Sequence, residues 1–399
     1  MVQLIILLYF CFLIFLEHHI SMSGLYIHIP FCHKKCNYCN FHFSTQLDFK
    51  PQLVKAIEKE LFLRKDEFKN IKIETLYFGG GTPSLLSKNE LYSIFNTLHS
   101  HYSISELQEI TLESNPEDLT SDFLLFLKNE TPINRLSIGI QSFNDYDLKL
   151  MNRSHSSFEA EKSIMRAQNI GLNNITIDLI YGGQSTSNQI WIDNLQKAIQ
   201  LNIPHISSYA LTVEPKTAFE SLIKKGKLPD IDEDRQLKQF ELLRKILYNN
   251  DFIQYEFSNF GKKGYFSKHN TSYWNSKAYI GIGPSAHSFN GTNIRSWNIS
   301  NNIHYIKSLN NNILPLEQEF LDEKDVYNEK IMLGLRTQWG ININSVLDNF
   351  SKKIVSHFLK ETEFLKQERL ILTNSNSLMI NPEYLFQTDG IISRLFFID

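Results

Sequence analysis

Residues 24–41 read GLYIHIPFCHKKCNYCNF, a β-prone run that stops at Pro30 and delivers Cys32, Cys36 and Cys39 into the loop behind it. Five further runs of β-branched and aromatic character follow, at 74–78, 109–113, 135–140, 175–181 and 205–210. Helical periods separate them. In 51–68, Leu53, Ile57 and Leu61 stand at i, i+4 and i+8 as one apolar stripe, and 88–99, 122–128, 157–168 and 188–200 fit further helices. Strand and helix in alternation predict βα units around a parallel sheet. Six such units predict an α/β fold, a partial (β/α)6 barrel, with reactive groups at the C-terminal strand ends.

The chain has 399 residues, 42% hydrophobic and 13% aromatic, which suffices for a large core and two or three domains. Its formal net charge of -3 and scattered lysines and arginines lack the basic footprint of a nucleic-acid binder. Cys32, Cys36 and Cys39 are too crowded for a disulfide framework, so they read as metal ligands in a reducing, cytoplasmic compartment. Cys11 lies in the apolar run 4–16, which is short for a membrane span and lacks the flanks of a secretory signal. We read residues 1–21 as an upstream extension of the reading frame with Met22 as the start; the alternative is a membrane-surface anchor.

Further along, the charged stretch 224–235 predicts a boundary loop. Near the end, 345–367 reads as a helix, 369–373 and 378–380 as a hairpin, and Asn381 as the cap of a last helix with Pro382 at its first position. That order predicts a small winged-helix-like domain, and its lack of a basic face favours a structural or docking role. The expected organisation is a core over 22–215, an extension of it over 216–310, and a C-terminal domain over 311–399.

Three thiolates can satisfy three irons of a [4Fe–4S] cubane and leave the fourth open to an exogenous ligand. With His33 or His42 the same cysteines would equally make a zinc site, and the cysteines alone do not choose. Gly79, Gly80, Gly81, Thr82 and Pro83 follow the second strand, where glycines let backbone approach a ligand closely.

On these residues, and from Gly24 almost to the C-terminus, the chain resembles the radical S-adenosylmethionine (SAM) superfamily. Within it, the resemblance is to the group that holds oxygen-independent coproporphyrinogen III oxidase and a family of haem chaperones. The resemblance implies that SAM chelates the open iron and that the reduced cluster cleaves it to a deoxyadenosyl radical. It implies that Tyr38 shields the cluster near the adenine, and that Gly80, Gly81 and Thr82 form the loop receiving the methionyl amino group. It further implies SAM contacts from Tyr26, from Glu113 in TLESNPED, Gln141 in RLSIGIQSF, Arg153 in MNRSHS and Asp178 in ITIDLIYG, with Tyr209 and Thr212 as a weaker pair. The chemistry agrees, because a sulfonium with a carboxylate, an ammonium and a ribose needs acidic, amide and guanidinium partners.

The oxidase-like pattern has a fourth cysteine two residues after the third, where this chain has Phe41, and it carries an N-terminal extension at its substrate site. Both departures count against porphyrinogen decarboxylation. HNTSYW at 269–274 resembles the HNxxYW element of the haem chaperones and implies His269 as axial haem ligand, with His287 in GIGPSAHSF as a second candidate. Read without the family, His269 is a hydrogen-bonded core histidine. The resemblance thus implies haem, SAM and a [4Fe–4S] cluster as cofactors. Its implied partners are an electron donor and haem-accepting proteins such as those of the respiratory chain, with transient membrane association.

Overall fold

The computed structural model describes residues 24–68, 72–104, 106–374 and 376–398. Cys11, the apolar run and Met22 lie outside the described residues.

Six parallel strands stand side by side in sequence order: β1 (Gly24–Ile29), β2 (Thr75–Gly80), β3 (Glu109–Ser114), β4 (Arg135–Gln141), β5 (Ile175–Tyr181) and β6 (His205–Ala210). This is the α/β architecture of a partial (β/α)6 barrel. Each strand alternates because its two faces meet different surroundings. Leu25, Ile27, Leu76, Phe78, Ile110 and Leu112 are buried in the apolar core. Their neighbours Tyr77, Thr111, Glu113 and, further along the sheet, Asp178 and Ser207 line a polar cavity of about 50 Å³ on the concave side. The helices begin where the sequence offers caps: Ser87 with Glu90 and Ser156 with Glu159 form reciprocal capping boxes for Lys88–His101 and Ser157–Asn169.

Short strands extend both edges of this sheet. β7 (Ile253–Gln254) and β8 (Asn259–Gly261) continue antiparallel beyond β6. On the far side β9 (Tyr279–Ile282) pairs parallel with β1, and β10 (His287–Phe289), β11 (Ile294–Asn298) and β12 (Leu316–Phe320) follow antiparallel, giving a 12-stranded sheet among the described residues. β7 to β11 lie within 216–310, but β12 lies beyond it, inside the segment 311–399 expected to form the C-terminal domain.

Tyr327, Ile331, Ile354, Phe358, Leu378 and Leu395 belong to a second apolar core, built by C-terminal helices on the sheet of β13 (Ile341–Asn342), β14 (Ile371–Asn374) and β15 (Ser377–Ile380). Two expectations need correction. The helix expected over 345–367 is two helices, Ile343–Leu347 and Lys352–Gln367. Asn342 caps the first, and the break lets the Phe350 ring pack edge-on against Tyr327 at 5.5 Å. Asn381 does cap with Pro382 following, but the capped element is the 3-10 turn Pro382–Gln387, and the α-helix starts at Thr388.

Candidate functional site

The loop after β1 carries Cys32, Cys36 and Cys39 as free, half-buried thiols. It is pinned at several points. The Cys32 N–H donates to the Ser44 carbonyl at 3.0 Å, and the Asn37 N–H to that of Met151 at 3.0 Å. Asn37 Nδ2 reaches the Leu150 carbonyl at 2.8 Å, and Asn152 Nδ2 the Lys35 carbonyl at 2.7 Å. Two donors also point at sulfur: the Thr82 hydroxyl at Cys32 Sγ (3.4 Å) and Arg153 Nη1 at Cys36 Sγ (3.2 Å). Donors so placed stabilise thiolates and orient them. Burial pushes the Cys32 thiol up to about 11 and raises that of Cys39, so metal binding here displaces protons.

The donor set fits a cubane. Among the described residues no three Cys, His, Asp or Glu side chains converge where one metal ion could sit. The two histidines that could complete a zinc site are turned elsewhere, His33 towards Asp118 at 3.7 Å and His42 Nε2 to Asn302 Oδ1 at 2.8 Å. The spacing suits one sulfur per iron.

The glycine run has a local cause. Gly80 sits at φ +112, where a Cβ would lie 2.5 Å from the His28 ring, and a Cβ on Gly81 would lie 2.6 Å from the Phe31 carbonyl oxygen. Without side chains the end of β2 lies flat against the cysteine loop. The Gly80 N–H then donates to Glu113 Oε2 at 3.0 Å, while Tyr77 donates to Oε1 at 2.7 Å.

Around this point the structure gathers most of the expected residues. Arg153 Nη2 donates to Asn115 Oδ1 and to the Gly139 carbonyl, both at 2.7 Å, and Asn115 donates to Thr82 Oγ1 at 3.3 Å. A continuous relay therefore runs from Cys32 through Thr82, Asn115 and Arg153 to Cys36. Asn115 was not singled out in the sequence, although its place two residues beyond Glu113, just past a strand end, is the signal that finds it. Gln141 is buried with φ +66 where the β4–β5 register shifts, close to Gly139 and Arg153. Tyr38 packs on the apolar cluster of Met151, Ile180, Leu211 and Phe219 beside Cys36. Burial raises the Glu113 carboxyl, and burial followed by the charge of Glu113 pushes Asp178 up to about 7. Tyr26 donates to or accepts from His28 Nδ1 at 3.0 Å. Tyr209, 44% exposed, stands at the rim, and Thr212 is exposed.

His269 lies at the opposite, N-terminal end of the strands. It follows the cap Ser267 in the helix Lys268–Trp274, and its N–H donates to Glu109 Oε1 at 3.0 Å. Its ring is 1% exposed and stacks on Tyr77 at 5.0 Å. Nδ1 bonds Thr75 Oγ1 at 2.8 Å and Nε2 bonds Tyr273 Oη at 2.7 Å. Burial lowers its pKa to about 3, so the imidazole is neutral. Neither nitrogen is open in this conformation; ligation of iron requires the ring to give up one of these bonds. His287 is exposed on β10, with its ring 5.8 Å from that of Trp297.

Comparison with known proteins yields a concordant set. Residues 26–193 match the model of the radical SAM superfamily, and residues 321–383 that of the HemN C-terminal domain. The heme chaperone HemW of Lactococcus lactis is 32% identical over 87% of this chain and 90% of its own length. That of Bacillus subtilis is 31% identical over 91% and 96%. Among solved structures, coproporphyrinogen III oxidase (HemN) of Escherichia coli, described as a radical SAM enzyme, superposes with a TM-score of 0.82. It covers 96% of this chain and 92% of its own at 22% identity, a likeness of fold.

Proposed function

We propose a function from one premise: this chain belongs to the HemW family of the radical SAM superfamily. On that premise Cys32, Cys36 and Cys39 hold a [4Fe–4S] cluster whose open iron takes SAM. When bound, the cluster supplies the electron that cleaves a sulfonium. The chain's own residues hold and orient. Thr82 and Arg153 donate to two of the sulfurs, so that the anionic charge of a loaded cluster meets positive ends of dipoles. Glu113 and Asp178, carboxyls raised in pKa, suit a cationic ligand, and the ammonium and sulfonium of SAM are such groups. Gln141, Tyr26 and Tyr38 complete the wall around that ligand. The apolar cluster under Tyr38 keeps water from it.

The function we assign is haem chaperoning: the protein binds haem and passes it to acceptor haemoproteins, such as those of the respiratory chain, drawing cluster electrons from a donor. The carrying observation is the likeness to heme chaperone HemW along 87% of the chain. Phe41, 71% exposed where the oxidase pattern has its fourth cysteine, supports this over porphyrinogen decarboxylation. The test is anaerobic reconstitution followed by two assays. Titrated haem is expected to give a shifted Soret band, and coproporphyrinogen III with SAM and reductant is expected to give no protoporphyrinogen. Turnover without retained haem would overturn the reading.

A further inference from the structure

Haem delivery asks for an imidazole that iron can reach and later leave, and the concave face offers one besides His269. Tyr26 pairs with Gly281, Tyr279 with Phe289, His287 with Trp297 and Trp297 with Glu317. Because paired residues share a face, His287, Trp297, Phe289 and Arg295 continue the concave wall begun by Tyr26 and His28. We propose that His287 is the axial ligand of the haem cargo, braced by the Trp297 indole; this rests on the haem-chaperone reading.

Four observations carry it. First, His287 is exposed, and among the described residues neither of its ring nitrogens has a hydrogen-bond partner, whereas both nitrogens of His269 and of His28 are engaged. Second, the ring lies 5.8 Å from Trp297 at 32°, and the indole is itself fixed by donating to Glu317 at 2.9 Å. The indole limits rotation of the imidazole and offers apolar surface beside the iron. Third, partial desolvation of the ring and the nearby Arg295 lower the His287 pKa against the opposing charge of Glu319, so its lone pair is available at neutral pH. Fourth, a Cβ on Gly281 would lie 2.2 Å from the His287 carbonyl oxygen, a close approach that fixes the strand presenting the imidazole.

The position also makes sense of His269. Its partner Tyr273 packs edge-on against Tyr279 at 4.5 Å, Tyr279 lies 6.4 Å from Phe289, and Arg295 covers Phe289 at 5.6 Å. His269 thereby supports the wall on which His287 stands and acts as a positioning residue. Glu317, which accepts from Trp297, and Glu319, paired with Arg295, stand on the edge strand β12 beside this wall.

The test uses the full, cluster-reconstituted chain and haem itself. Wild type, His287→Ala and His269→Ala are titrated, with the Soret position and the magnetic circular dichroism of histidine-ligated iron as readouts, and melting temperature as the control for folding. We expect His287→Ala to lose the histidine signature and to bind at least about tenfold more weakly, with free imidazole restoring the spectrum. Retention of the wild-type spectrum and affinity by His287→Ala overturns the proposal while leaving the chaperone reading intact. Failure of the wild type to bind haem at all overturns both.

Discussion

The two ends of the barrel strands answer the same question in opposite ways. At the C-terminal end stand three thiols, an Arg153 Nε without a partner and the raised Glu113 carboxyl, with the raised Asp178 carboxyl midway along β5. At the N-terminal end His269 is closed on both nitrogens by Thr75 and Tyr273. Buried polar groups left incomplete cost free energy, and a bound ligand is one way in which that cost is recovered. A satisfied one is a structural part. On the reading proposed above, the difference separates a ligand site from a keystone, although both carry metal-binding residue types.

Replacing residues at each end should break the comparison in different currencies. The Cys32→Ala, Cys36→Ala, Cys39→Ala triple variant should fall from about four irons per chain to none, yet unfold within about 1 kcal/mol of the apo wild type, because half-exposed thiols contribute little packing. His269→Ala should do the reverse. It removes the partner of the Tyr273 hydroxyl and one contact of Thr75 and opens a cavity, and should cost about 3 kcal/mol in denaturant unfolding, with iron content per folded chain unchanged. Equal effects of both changes on iron and stability would erase the distinction.

The ends also differ in the sign of their pH dependence. Asp178, raised from 3.8 to about 7, contributes stability that is fully present below 3.8 and is lost as pH rises through 7. His269, lowered from 6.5 to about 3, contributes stability present above 6.5 and lost as pH falls towards 3. Apo Asp178→Asn should therefore lose stability more steeply than wild type between pH 7 and 4, as read by chemical denaturation at each pH. A parallel curve would contradict the assignment of a raised Asp178.

Smaller effects sharpen the picture. Arg153→Lys keeps the charge but cannot hold Cys36, Asn115 and the Gly139 carbonyl together, so the cluster should be lost to chelator about tenfold faster. Thr82→Val removes a single donor to Cys32, and its effect on chelator loss should be about two- to threefold.

Much of this was legible in the sequence, for physical reasons. The six core strands and their helices are long and periodic, so alternation and capping serines located them to within a residue or two. The cysteine loop, the glycine run, Glu113 and Gln141 sit at strand ends that the topology brings together, whereas Arg153 follows the helix Asp145–Leu150 and Asp178 stands midway along β5. What stayed hidden is non-local. β7 has 2 residues and β10 has 3, too short for any period to register. Asn115 joins the cysteine relay through partners 33 and 38 positions away. Whether His269 is open or closed depends on Thr75, 194 positions upstream. The break at 348–351 follows from Phe350 seeking Tyr327, a tertiary contact that overrides helical propensity.

The central claim is that three thiolates hold an iron–sulfur cube with one iron open to SAM. Its most direct measurement is the electron paramagnetic resonance spectrum of the reconstituted, reduced chain with and without SAM. The account predicts a [4Fe–4S] signal whose g-values shift when SAM is added, and no signal in the triple cysteine variant. A signal indifferent to SAM, or one that survives loss of Cys32, Cys36 and Cys39, would contradict it.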